Sequence, residues 1–285
     1  MDYCENPYLV STFNMKQRKK KTHPMRAKKS LGQNFLKNYG IVRKIVETAE
    51  IQKGETVLEI GPGRGVLTQA LLEAGARVIA VEKDRELIPI LEETFHEQIK
   101  LGLLTVCHED ILTFDLARCG KTYKVVANIP YYITGQIIRM LLSASDQPKT
   151  LIMMVQKEVA KRIVAIDKKE SLLSLSVKAY GTPHYVMTVS RGSFSPAPNV
   201  DSAILLIDKI SREFFIQFTE KAFFDLIHAG FISKRKKLIS NLSDIYQKDL
   251  LAQLFKTLTI PETIRAEDIT LDQWKSLLTK VHNSH

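Results

Sequence analysis

Cysteine is scarce: Cys4, Cys107 and Cys119 are the only three in 285 residues, and no two form a C-x-x-C pair. An odd number of widely spaced thiols argues against a disulfide framework, and the missing pair argues against a structural zinc site. No metal is expected. Nor is there an apolar run approaching the roughly 18 residues of a membrane-crossing helix. The N-terminal stretch is basic and polar, unlike a secretory leader. The expectation is a cytoplasmic protein with no membrane part. Acid is missing in one place as well: from Lys16 to Lys29 there is no Asp or Glu.

What the chain has is 45% hydrophobic residues, enough for one large domain and a smaller one, and 41 Lys and Arg against 31 Asp and Glu. The formal charge of +10 is the footprint of a polyanionic partner, with nucleic acid first and an anionic membrane surface second. Residues 1–29 read as a flexible basic arm, either an RNA contact or a solubilising tail.

Thr56–Ile60 is a β-rich run ending in Gly61-Pro62-Gly63-Arg64-Gly65, after which Val66, Leu67, Ala70 and Leu71 recur at helical spacing. This is strand, glycine turn, helix, in which backbone approaches a ligand closely and the first helical amides face it. The spacing is E-x-G-x-G-x-G from Glu59. Val66 occupies the third-glycine position of a dinucleotide fingerprint, so the pattern favours S-adenosylmethionine over NAD. Gly61 and Gly63 are therefore candidate cofactor contacts. Arg77–Val81 is the next strand, and Glu82 at its end is placed to accept from ribose hydroxyls. Leu103–Cys107 is a third strand. Asp110 beyond it is a candidate acceptor for the adenine amine, with Ile111 packing on the ring; a solvated strand-end acid is the alternative.

Val125-Val126-Ala127 reads as a buried strand that stops at Asn128-Ile129-Pro130-Tyr131. Open α/β sheets bind ligands at that carboxyl edge. Pro130 restricts itself and Ile129, so the Asn128 amide oxygen and the carbonyls beside it are held in one geometry. Together with the Tyr131 ring they suit the exocyclic amine of a nucleobase. An ordinary proline turn is the alternative. Helix Gly135–Ser143, strand Thr150–Gln156, helix Glu158–Ile166, an ambiguous Leu172–Tyr180 favoured as helix, and strands His184–Val189 and Asp201–Asp208 follow. Between those strands, Pro196 and Pro198 stiffen a loop that holds Phe194, either to stack on a flipped-out adenine or to plug the core. Beyond Ile210 only helical spacing remains. The fold class is α/β, a seven-stranded doubly wound Rossmann-like sheet with a small C-terminal helical domain. The divisions are 1–29, 30–210 and 211–285.

Asn-Ile-Pro-Tyr resembles the catalytic motif of adenine amino-group methyltransferases. Leu31–Leu36 (LGQNFL), Pro196-x-Pro198-x-Val200-Asp201-Ser202-Ala203 and Arg265-Ala266-Glu267 resemble, in the same order, the ribosomal RNA adenine dimethyltransferase family. The small-subunit branch is the better match. That resemblance implies S-adenosylmethionine as cofactor, with Asn34, Leu36 and Asn128 among its contacts. Asn128, Ile129, Pro130, Tyr131 and Phe194 would form the catalytic pocket. It implies dimethylation of two adjacent adenosines near the 3′ end of small-subunit RNA, by a monomer acting on an assembling particle. The Lys234-Arg235-Lys236-Lys237 run, with Asn241-Leu242, resembles the family's basic segment and is the candidate RNA contact; a solvated face is the plainer reading. Tyr132 departs from the Asn that commonly follows the motif Tyr. A large-subunit enzyme of the macrolide-resistance type, or a non-catalytic RNA-binding assembly factor, are the alternatives.

Overall fold

The structure, a computed structural model, describes residues 32–282. The arm expected over 1–29, Cys4 and Ser30-Leu31 lie outside them. The chain runs β1 (Phe35–Leu36), α1 (Tyr39–Ala49), β2 (Thr56–Ile60), α2 (Val66–Glu73), β3 (Arg77–Glu82), α3 (Ile88–Thr94), α4 (His96–Lys100) and β4 (Leu104–His108). It continues through β5 (Tyr123–Asn128), α5 (Thr134–Leu142), β6 (Thr150–Gln156), α6 (Lys157–Val164), α7 (Leu172–Lys178), β7 (Thr182–Val189), β8 (Phe194–Ser195) and β9 (Ser202–Asp208). Helices α8 (Glu220–Gly230), α9 (Leu238–Leu242), α10 (Lys248–Thr257) and α11 (Leu271–His282) complete it.

Seven strands form one sheet in the order β4-β3-β2-β5-β6-β9-β7. The first five are parallel, while β9 inserts antiparallel between β6 and β7. The connection β7 to β9 contains no α-helix, and a parallel pairing needs a longer crossover. That is why the last strand runs backwards. Chain direction across the sheet reverses at β2, which has β3 on one side and β5 on the other. A crevice opens beyond the carboxyl ends of strands at such a point, and both the glycine turn after β2 and Asn128 at the end of β5 stand there.

Alternate side chains of the central strands feed two apolar clusters, one per face. Val57, Val126 and Ile152 pack with α1, α2 and Leu91 of α3. Leu58, Val125 and Leu151 pack with α5, α6 and Val177 of α7. Covering on both faces explains why these strands read as unbroken apolar runs. The one cation inside them, Lys124, is only 9% exposed. Its ammonium donates to the Ala49 and Glu50 carbonyls at 2.9 and 2.8 Å and pairs with Glu55 at 2.9 Å. It thereby satisfies the open carbonyls at the end of α1 and ties that helix to β5.

A third cluster gathers α8 to α11 around Trp274, which is fully buried, and extends to Leu175 and Ala179. Helix α7 thus buries residues in two clusters. Ion pairs add to this join: Lys169 meets Asp268 and Glu267, and the Glu170 amide donates to the Glu267 carbonyl. Arg265-Ala266-Glu267 belongs to this seam.

Candidate active site

A cavity of about 610 Å³ opens at the carboxyl edge of the sheet. Its floor begins with Gly61, whose φ of +72° is in the left-handed region and whose missing Cβ would stand 3.1 Å from the Asn128 carbonyl oxygen. Only glycine lets the turn after β2 close against the end of β5. Gly63 plays the same part against Phe35: a Cβ there would lie 3.1 Å from the ring, over which Arg64 sits at 4.9 Å. Strands β1 and β8 pair antiparallel, Leu36 opposite Phe194. This brings the Asn34–Leu36 segment to the cavity wall, as Ser195 is brought from the other strand.

Glu82 ends β3 almost fully buried. It accepts from the Gly63 amide at 3.1 Å and the Asp84 amide at 2.8 Å. Burial raises its pKa above the ordinary carboxylate value, and these two amides oppose the rise. Gln33 reaches from the N-terminal segment to donate to Asp84 at 2.7 Å. Asp110 accepts from Lys83 at 2.7 Å and from the Leu112 amide at 3.1 Å. The Lys83 contact is the main reason its pKa is lowered. Each of its oxygens keeps a lone pair for a further donor. Ile111 beside it is buried and also on the wall.

Asn128 is partly exposed at the cavity, and its side-chain amide makes no hydrogen bond among the described residues. Pro130, at φ −57° and ψ 135°, leads into a short 3-10 turn over Tyr131–Ile133. The Tyr131 hydroxyl lies 2.5 Å from Oγ of Ser202, the first residue of β9. The ring is therefore anchored from outside its own motif. Acceptors for an amine, an aromatic ring and a buried acid line one cavity, an arrangement able to hold a nucleoside and orient an amino group.

The sequence pattern of the family described as ribosomal RNA adenine dimethylase matches residues 25–282. The chain belongs to this ribosomal RNA adenine dimethylase family. A Dehalococcoides mccartyi protein named ribosomal RNA small subunit methyltransferase A is 40% identical over 260 residues, 90% of this chain and 88% of its own. A Lactiplantibacillus plantarum protein of the same name is 37% identical over 277 residues, 92% and 93% of the two chains. Among solved structures, the 23S rRNA methyltransferase ErmE superposes with a TM-score of 0.73 at 25% identity, covering 87% of this chain and all of that one. A dimethyladenosine transferase from Plasmodium falciparum gives 0.75 at 26% identity, covering 87% and 97%.

Of the candidate cofactor and catalytic residues of this dimethylase, all but Phe194 line the cavity. Phe194 is 2% exposed and sits in the cluster with Leu36, Val189 and Ile204. As placed, its ring offers no face to a base, and the stacking role expected of it gives way to core packing. The physical reason is the β1–β8 pairing, which turns Phe194 inward. Three contributors were given no role by the sequence, although Gln33 and Ser202 stand within the motifs quoted above: Ser202 behind Tyr131, Gln33 behind Asp84, and Lys83 on Asp110. Each acts on a residue at least 27 positions away.

Lys234–Lys237 are exposed, on a turn held by Asn241, whose side chain donates to the Gly230 and Ser233 carbonyls at 2.5 and 3.1 Å. The cleft beside them has a volume of about 740 Å³. Its walls are mixed: Lys161, Arg162, Lys169 and Lys234 face Glu158, Asp167, Glu170 and Glu267. Pairing of Lys161 with Glu158 and of Lys169 with Glu267 leaves less positive charge there than composition suggests.

Proposed function

We propose that this dimethylase transfers methyl groups from S-adenosylmethionine to the N6 amines of two adjacent adenosines near the 3′ end of small-subunit ribosomal RNA. The carrying observation is the unbonded Asn128 amide at the cavity that also holds the buried Glu82. Relatives at 37% to 40% identity named for the small subunit favour that RNA over the large-subunit reading. We place the reaction in the cytoplasm, carried out by a monomer on an assembling particle, with the basic run Lys234–Lys237 on RNA phosphates.

The residues fit an adenosyl cofactor. Gly61 and Gly63 leave open backbone where a Cβ would intrude. Glu82 is a buried acceptor for ribose hydroxyls, Asp110 an acceptor for the adenine amine, and Ile111, Leu36 and Asn34 complete the walls. When bound, S-adenosylmethionine supplies an electrophilic methyl group on a sulfonium. The target amine is a weak nucleophile because its lone pair is delocalised into the ring. Asn128 Oδ1 and the Ile129 carbonyl accept its two protons in hydrogen bonds and favour the pyramidal nitrogen. Pro130 and the Tyr131–Ser202 contact keep those acceptors and the ring in place before substrate arrives, which is preorganisation. The proton leaves to solvent.

The test is Asn128→Ala. Cofactor binding by calorimetry should be largely retained, since Asn128 is one contact among several, while single-turnover methylation of unmethylated small subunits should slow by on the order of 10²-fold or more. A folded, cofactor-competent variant working at the wild-type rate would remove Asn128 from the chemistry.

A further inference from the structure

Two large aromatic side chains at the rim of the cavity are left in solvent: Tyr132 is 71% exposed and Tyr39 62%. The other wall aromatics are engaged, Tyr131 through Ser202 and Phe35 between Gly63 and Arg64. Neither Tyr132 nor Tyr39 makes a side-chain hydrogen bond among the described residues. Tyr132 is nonetheless held. Its backbone is in the 3-10 turn that Pro130 starts. One edge of its ring lies on Gly32, where a Cβ would stand 3.5 and 3.8 Å from Cε1 and Cδ1 and 3.3 Å from Pro130 Cβ. Gly32 has φ +60°, so the backbone there is one that glycine adopts readily. A positioned ring with an open face is what the base of a single-stranded nucleic acid stacks on.

We infer that Tyr132 is the stacking platform for the nucleotide next to the adenosine being methylated. The inference rests on the proposed function and deepens it. With one base drawn into the cavity, its neighbour loses a stacking partner, and the Tyr132 face at the mouth replaces it. The occupant is the base of single-stranded RNA adjoining the target, and the hydroxyl has no part in holding it. In the proposed substrate the other adenosine is one such neighbour.

The test compares full-length wild type, Tyr132→Ala and Tyr132→Phe on unmethylated small subunits, with thermal stability and S-adenosylmethionine affinity measured in parallel. Tyr132→Ala should raise KM for the particle about tenfold or more, the scale of one lost base–aromatic stack. That change should fall on KM rather than kcat. Tyr132→Phe should stay within about twofold of wild type, and all three should melt and bind cofactor alike. Tyr132→Ala with a wild-type KM would overturn the inference, as would Tyr132→Phe as impaired as Tyr132→Ala. A wild-type protein that binds cofactor but methylates no subunit overturns the proposed function, and this inference with it.

Discussion

Replacing Glu59 by glutamine should stabilise this protein in a way that depends on pH. Glu59 lies in β2 two residues before Gly61 and is 1% exposed. Neither of its carboxyl oxygens, nor the Thr68 hydroxyl, has a hydrogen-bond partner among the described residues. Burial, aided by the charge of Glu82 and opposed by the nearness of Thr68, pushes its pKa from 4.5 to about 8. The folded value is above the unfolded one. Stability is therefore full below about pH 4.5, falls as pH rises towards 8, and is level beyond it. Each pH unit in that window costs about 1.4 kcal/mol, so at pH 7 the wild type is lower by on the order of 3 kcal/mol. Glutamine keeps the shape and cannot ionise. Thermal melts from pH 5 to pH 8 should show wild type and Glu59→Gln nearly together at pH 5, and the variant higher by roughly 5–10 °C at pH 7 to 8. Other titrating groups are common to both proteins, so the difference isolates Glu59. Parallel curves, or a variant less stable at pH 8, would mean that Glu59 is ionised and compensated in the fold, and the reasoning would fail.

Glu82→Ala should leave the fold intact and weaken S-adenosylmethionine binding about tenfold or more, the scale of hydrogen bonds to a charged group; unchanged affinity by calorimetry would take Glu82 out of the site. Neutralising Lys234, Arg235, Lys236 and Lys237 together should lower RNA affinity similarly for all sequences and flatten its salt dependence, and an unaltered slope in filter binding would return the run to a solvated face. Gly65→Ala should destabilise the protein by several kcal/mol in urea titration. At φ +79° its Cβ would stand 2.3 Å from the buried Phe95 ring, so a wild-type midpoint would contradict that packing.

What the sequence alone determined were the features whose physics is local or periodic. The glycine turn, the acid closing the strand at Glu82 and the proline-stiffened end of the strand at Asn128 each depend on a few neighbouring residues. Their order along the chain follows from how a doubly wound sheet is traversed, so they meet at one edge as expected. Ambiguity at Leu172–Tyr180 has a structural cause: a helix burying Val177 in one cluster and Leu175 and Ala179 in another has no clean polar face. Helices α3 and α4 and the β1–β8 ribbon were not legible, since elements of two to seven residues depend on what they pack against. Tertiary structure alone decided the direction of Phe194, because a two-residue strand takes its facing from its partner, Leu36. It also decided that Ser202 anchors Tyr131, that Lys124 closes the end of α1, and that the cleft beside Lys234 has mixed charge. Each is a contact between segments distant in sequence. Composition and spacing record which groups a chain carries; which polar group reaches which is settled when burial drives most of them to find a partner.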